Sequence, residues 1–320
     1  MIFSATGRFL YRRKSAAAAL GMLLLLILCA LAAPLYAENV GVDPMESSLA
    51  GTVLRDGKRV DIMQPNDNPL HLGLSPIGPS WRWGAYALGA DSQGRDIAAR
   101  LLYGARASLL IAFSAACLCL VMATFCGLLA GYCGGWIDII ISRALDILWA
   151  VPVYLFAISL SVVTVGHDLS FGPFHVQPDS LLLPIGIIAL IYVPYAARPI
   201  RARTRSLSSA GFVLAARGLG ASSLRIVFRE ILPLLAETVL VLSPLIMALC
   251  LLAESALSFL SLGVQAPAAS WGSLIHDGEG LIYSRPVVAI APGVAIILTV
   301  LALNALGDAA QAELRARGRR

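Results

Sequence analysis

Charge is what this sequence has least of. Only 13% of its 320 residues are Asp, Glu, Lys or Arg, against 58% hydrophobic, and the mean hydropathy is +0.79. A soluble domain of this length cannot hide so much apolar surface, because surface area falls too slowly with size. A bilayer absorbs it. Lysine is scarcer still, at Lys14 and Lys58 alone. Gly57-Lys58-Arg59 comes nearest to a phosphate loop, but it lacks the Ser or Thr after Lys and the upstream Gly at the required spacing. The sequence therefore excludes ATP hydrolysis by a P-loop mechanism in this chain.

The four histidines, His71, His167, His175 and His276, fall between apolar spans, and neither His-Glu-x-x-His nor Gly-x-Ser-x-Gly occurs. His167 and His175 share one loop with Asp168 and Asp179 and read as solvated loop histidines, so no metal site is assigned. Cys29, Cys117, Cys119, Cys126, Cys133 and Cys250 lie in or at the ends of apolar segments, without zinc-site spacing. They read as small packing side chains and imply no disulfide framework. The net charge of +5 does not point to nucleic acid, because the basic residues flank apolar spans instead of forming a separate patch.

Charge-free stretches count the spans, since a charge at the bilayer centre costs about 2.5–3.5 kcal/mol even on the lenient insertion scale. Stretches 15–37, 107–137, 147–166, 180–197 and 286–307 carry no charge, and 238–260 carries Glu254 alone. Each supplies the roughly 20 residues a spanning helix needs, so six transmembrane helices are expected. Arg12-Arg13-Lys14 before the first apolar run resembles a signal peptide. The run is longer than a usual signal core, and Leu35 is large where a small residue is wanted, so an uncleaved helix is expected.

Lys and Arg set the orientation. With the N-terminus inside, the inner segments carry sixteen, including seven between Arg198 and Arg229, and the two short outer loops carry Arg285 alone. Both termini are expected in the cytoplasm. The long outer loop is rich in Pro, Gly, Asp and Asn, and Asp56-Gly57 is placed to turn a small hairpin within Thr52 to Met63. Residues 1–37 are thus read as the N-terminus and first helix, 38–107 as the outer loop, and 108–320 as a core of five helices with an inner loop at 198–237.

That inner loop, from Leu214-Ala-Ala-Arg-Gly-Leu-Gly220 to Ile231-Leu-Pro233, predicts two short helices. The first covers 210–219. Gly220 takes the left-handed turn after it, Ser222 caps the second, and Pro233 limits that helix. Leu224, Val227 and Phe228 share one face, with Arg225 and Arg229 four apart beside it. Taken alone, such a helix could lie on the inner leaflet. Gly127, Gly131 and Gly135, four apart, predict a face for tight helix packing. Pro152, Pro184, Pro194 and Pro244 are placed to interrupt spans. Asp146, Pro152 and Glu254 are candidate pathway or structural positions.

The inner loop resembles the coupling loop of ABC-importer permeases, Glu-Ala-Ala, three residues, Gly, nine residues, then x-x-Leu-Pro. Ala215, Ala216, Gly220, Leu232 and Pro233 match with the spacing intact, whereas Leu214 stands where the pattern has Glu. Leu88 to Leu109, Gly131 to Asp138, Ala253 to Val264, Ser270-Trp-Gly272 and Asn304 to Asp308 resemble dipeptide, oligopeptide and nickel permeases. The resemblance covers 84–308. It implies an all-α integral membrane protein with the type I ABC importer permease fold, multi-pass in a bacterial inner membrane, carrying di- or oligopeptides delivered by an external substrate-binding protein.

It further implies a pore shared with a second permease subunit as a heterodimer, and two cytoplasmic ATPases that receive the coupling loop and hold ATP and Mg. No cofactor is then expected on this chain, and no enzymatic activity. A nickel or other small-solute importer is the nearer alternative. A channel or ion-coupled carrier is the farther one, disfavoured because few ionisable groups lie at mid-membrane. An intramembrane enzyme lacks any nucleophile–base pair of familiar spacing.

Overall fold

A computed structural model describes residues 14–55, 57–66, 73–150, 152–164, 169–171, 174–176 and 180–317. Helix α1 (Lys14–Leu31) continues through α2 (Ala33–Val40), which ends at left-handed Gly41. Two antiparallel hairpins follow, β1 (Thr52–Arg55) with β2 (Lys58–Asp61) and β3 (Met63–Pro65) with β4 (Leu74–Pro76). Val53 faces Val60 in the first, and Gly57 has φ +77°, as the tight turn there requires. Ile62, Ile77, Tyr86 and Ala90 give the outer loop a small core of its own.

Helix α3 (Ile97–Cys133) runs 37 residues, or about 55 Å at 1.5 Å per residue. It therefore overshoots a ~30 Å hydrocarbon layer. It starts ten residues before the 107/108 boundary set by charge, because Asp96 caps it, accepting the Ala99 N–H at 2.9 Å. Helices α4 (Gly135–Ala150) and α5 (Val153–Thr164) follow, then the hairpin β5 (Leu169–Phe171) and β6 (Phe174–Val176). Next come α6 (Leu182–Ser208), α7 (Gly211–Gly218), α8 (Ser223–Phe259), α9 (Trp271–Glu279) and α10 (Val287–Arg317).

Five of these, α1, α3, α6, α8 and α10, are long and apolar enough to cross a membrane. The remaining expected span, 147–166, is not one helix. It is divided between α4 and α5, and Pro152 stands at the division, where a missing N–H and ring bulk stop a helix. Pro194 and Pro244 sit inside continuous helices, and Pro184 falls in the first turn of α6.

Helix α3 is the centre of the bundle and packs most extensively on α6. Ala112, Ala116, Ala123, Gly127 and Gly131 are buried along it, opposite Ala196, Ala197, Ile200 and Thr204 of α6. Small residues let two backbones approach closely, which is how helices associate where solvent supplies no hydrophobic drive. A Cβ on Gly127 would stand 2.9 Å from the Ala197 carbonyl oxygen, and one on Gly131 2.7 Å from that of Arg201. Gly135 takes no part in this face. It begins α4 with φ +52° and open space around it.

Candidate functional site

The inner segment between α6 and the apolar length of α8 is built from two helices and a tight turn. Helix α7 begins after Ala210 and ends at Leu219. Gly220, at φ +81°, donates to the Arg217 carbonyl at 2.9 Å, and Ala221 donates to the Ala216 carbonyl at 3.0 Å. This pair of bonds is the Schellman termination. Gly220 has open space where a Cβ would go, so its backbone angle, not crowding, calls for glycine. Ser222 then caps α8, accepting the Arg225 N–H at 3.4 Å.

The structure departs from expectation at Pro233. The proline does not end the second helix, which runs unbroken from Ser223 to Phe259. Residues Ile226–Ile231 widen into π geometry, and the Leu232 N–H reaches back to the Val227 carbonyl. A wide turn just before a proline spares the helix the clash and lost bond that proline imposes on normal α geometry.

Val213, Ile226 and Ile231 are buried in the main core and hold the segment from one side. On the other, Leu214 is 54% exposed and Leu219 89% exposed. Phe212, Leu224 and Phe228 are exposed with them, as are Ala215, Arg225 and Arg229. Ala216 and Leu232 are half-buried, and Pro233 is exposed. Helix α7 thus presents exposed apolar side chains, Phe212 and Leu214, with Leu219 exposed just past its end and Arg217 exposed beside them.

The remaining candidates are scattered. Asp146 is exposed and paired with Arg198 at 3.0 Å, and that guanidinium also lies over the Trp149 ring. Deeper, Asp138 takes both hydrogen bonds of the Arg201 fork. That guanidinium holds the Asp138 carboxyl below the usual carboxylate range, burial working against it. His167, Asp168 and Asp179 lie outside the described residues, and His175 stands on β6.

Glu254 is buried where α3, α8 and α9 meet. Ser258 Oγ donates to it at 2.8 Å and Ser255 Oγ at 3.3 Å, with the Ser108 and Ser270 hydroxyls as further partners. The Ser258, Ser108 and Ser270 hydroxyls each also accept a backbone N–H, from Val264, Trp271 and Ser273. With their lone pairs so engaged, their protons turn to the carboxylate. Glu254 thus fastens three elements together.

A second polar cluster, at the outer end, was not singled out from the sequence. Asp91 and Asp277 share Arg95 and Arg100, with contacts of 2.7 Å from Arg95 to Asp91, 3.4 Å from Arg100 to Asp91, and 2.9 Å from each to Asp277. Arg100 also donates to the Pro44 carbonyl. The run Asp91 to Arg100, four charges beside a span, was the available signal. Its partner Asp277 stands 182 residues from Arg95 and has no local mark.

A bundle centred on one long small-residue helix, with a two-helix inner loop ending in Leu-Pro, also describes a known family. A sequence profile of the binding-protein-dependent transport system inner membrane component matches residues 123–320. The chain belongs to this family. Among its relatives is a dipeptide transport system permease protein of Alkalihalophilus pseudofirmus, 37% identical over 241 residues, covering 75% of this chain and 73% of that one. A glutathione transport system permease protein of Pectobacterium atrosepticum is 36% identical over 231 residues, covering 72% and 71%.

A putative peptide transport system permease protein of Brucella suis is 33% identical over 308 residues, 95% of this chain and 88% of that one. It takes in most of the outer loop before residue 84, for which the resemblance read from the sequence gave no parallel. An inward-facing methionine ABC transporter superposes with a TM-score of 0.53 at 17% identity, covering 66% of this permease and 95% of that chain. That likeness shows the type I importer permease fold. The protein is a membrane-embedded transport component and not an enzyme.

Proposed function

We propose that this permease forms half of a peptide-conducting pathway in a bacterial inner membrane, with both termini cytoplasmic and residues 209–233 docked on an ATPase. The observation that carries the reading is the exposure of Leu214 and Leu219 on and just past a short helix anchored by buried Val213. A short amphipathic helix laid in a groove is a recurring way of joining two proteins. Two ATPase subunits supply ATP and Mg, a second permease completes the pore, and an external binding protein delivers cargo. Rigid-body closure of the ATPases would be passed to α8 through α7. Peptide cargo is favoured because dipeptide and glutathione permeases stand among the relatives.

The test has two arms. Gly220→Val forces a β-branched residue to φ +81°, and Arg225→Glu reverses an exposed charge. Either change should leave the protein in the membrane and lower transport-linked ATP turnover. Unchanged ATPase capture and uptake in both variants would discard the coupling assignment. For cargo, a strain lacking this permease should fail to grow on peptides that carry a required amino acid. Normal growth on those peptides, with loss of a nickel-dependent urease restored by excess nickel, would replace peptide by metal.

A further inference from the structure

Helices α3 and α8 touch at their outer ends, where Ser108 meets Glu254, and diverge toward the inner side. Between them lies a cavity of about 810 Å³, walled by Val121, Phe125 and Leu128 of α3 and by Leu224, Val227 and Leu240 of α8. Its walls are almost wholly apolar, which does not suit peptide cargo, whose backbone needs hydrogen-bonding partners. At its inner end stands Tyr132, and the Arg217 guanidinium lies 5.4 Å from the centre of that ring. Arg217 is itself exposed, and Arg225 is exposed next to the lining residue Leu224. An apolar slot with an aromatic and cationic mouth at one end thus lies between membrane-spanning lengths of α3 and α8.

We propose that this cavity is a binding site for an anionic phospholipid of the inner leaflet, its acyl chain between α3 and α8 and its phosphate at Arg217. Apolar walls match a hydrocarbon chain of the bilayer itself. Basic pockets between membrane helices on the cytoplasmic side take acidic headgroups. A guanidinium stacked on tyrosine keeps its N–H groups free at the edge to bond phosphate oxygens. Bound there, the lipid contacts both α3 and the segment that follows α7, so its occupancy would bear on how the coupling segment moves. The proposal rests on the cytoplasmic placement of residues 209–233.

The experiment uses the assembled transporter, with its ATPases and second permease, in nanodiscs of equal parts phosphatidylglycerol and phosphatidylethanolamine. Native mass spectrometry then reads which lipid stays bound. Wild type should retain phosphatidylglycerol in preference. Arg217→Gln should cut that preference about fivefold, the effect of one basic side chain near an acidic surface, and Arg217→Lys should keep most of it. Leu240→Trp, at a site 66% exposed and so tolerant of bulk, should displace the lipid whatever its headgroup. Lipid retention indifferent to both Arg217→Gln and Leu240→Trp would overturn the proposal. So would disulfide trapping of Val121→Cys by a cysteine of the second permease, which would show protein covering the cavity. Assembly of ATPase on the same particles reports separately on the cytoplasmic placement, so a particle that carries ATPase but ignores Arg217 fails the lipid proposal alone.

Discussion

The outer quartet makes a quantitative claim. Arg95 and Arg100 are 3% and 2% exposed, Asp91 is 0% exposed and Asp277 is 23% exposed, so two cations and two anions are nearly removed from water together. Asp277→Asn leaves two guanidiniums with one carboxylate. Breaking a buried ion pair on one side costs about 3–5 kcal/mol, and the partial exposure of Asp277 places it at the low end, about 3 kcal/mol. Arg100→Gln should cost a similar amount. The double variant restores charge balance, leaving Asp91 with Arg95, so its loss should fall short of the sum by at least about 1 kcal/mol. Cys119 and Cys250 are buried and free, so their reaction with a fluorogenic thiol reagent during denaturation reports unfolding of the bundle, once exposed thiols are blocked. Strict additivity, or a neutral Asp277→Asn, would show that the quartet is not a coupled unit.

Gly131→Ala should destabilise by about 1–3 kcal/mol, because its Cβ would meet the Arg201 carbonyl at 2.7 Å. Gly186→Ala, with open space around it, should be neutral in the same thiol assay. Asp138 is held low by Arg201, and a depressed acid contributes stability that is complete above its unfolded value, about 3.9, and lost as pH falls through the folded one. Asp138→Asn should therefore destabilise at pH 7, by a margin that shrinks as pH falls below about 4 toward the lowered folded value, and an undiminished difference in that acid range would refute the ion-pair account. Glu254→Gln replaces one acceptor oxygen by a donor that faces hydroxyl protons, and should cost about 1–3 kcal/mol. A cost no greater for the apolar Glu254→Leu would deny the hydroxyl cluster any coupling and show an ordinary packing site.

What the sequence made legible was local. The Gly220 turn, the Ser222 cap and the Gly57 turn between β1 and β2 each follow from one or two residues acting on their own backbone, and each stands where residue chemistry placed it. Helix ends were misjudged where a non-local or unusual bond decides. Ile226–Ile231 goes into π geometry, so Pro233 continues a helix it was expected to limit. Asp96 starts α3 well before the charge-free stretch does. Gly135 kept the four-residue spacing of Gly127 and Gly131 but fell beyond the helix end, where spacing no longer maps to a face. The outer quartet was illegible because it is closed by Asp277, remote in sequence, and Glu254 was left open between a pathway and a structural position because its four serines come from three different elements.

These placements give the α3–α8 pair two unlike ends. At one end, directional bonds from four serines converge on the buried Glu254 carboxyl, and a charge quartet ties the neighbouring loop to α9, so separation there would strip charges and hydroxyls of their partners. At the other, the facing walls are apolar and already apart, and in a bilayer acyl chains can replace lost wall contacts at little cost. The backbone beside the gap is also the stretch of α8 in π geometry, Ile226–Ile231, where the regular α ladder is broken. A push on Leu214 or Leu219 should therefore be resisted at the Glu254 end of the helix pair and yield at the other.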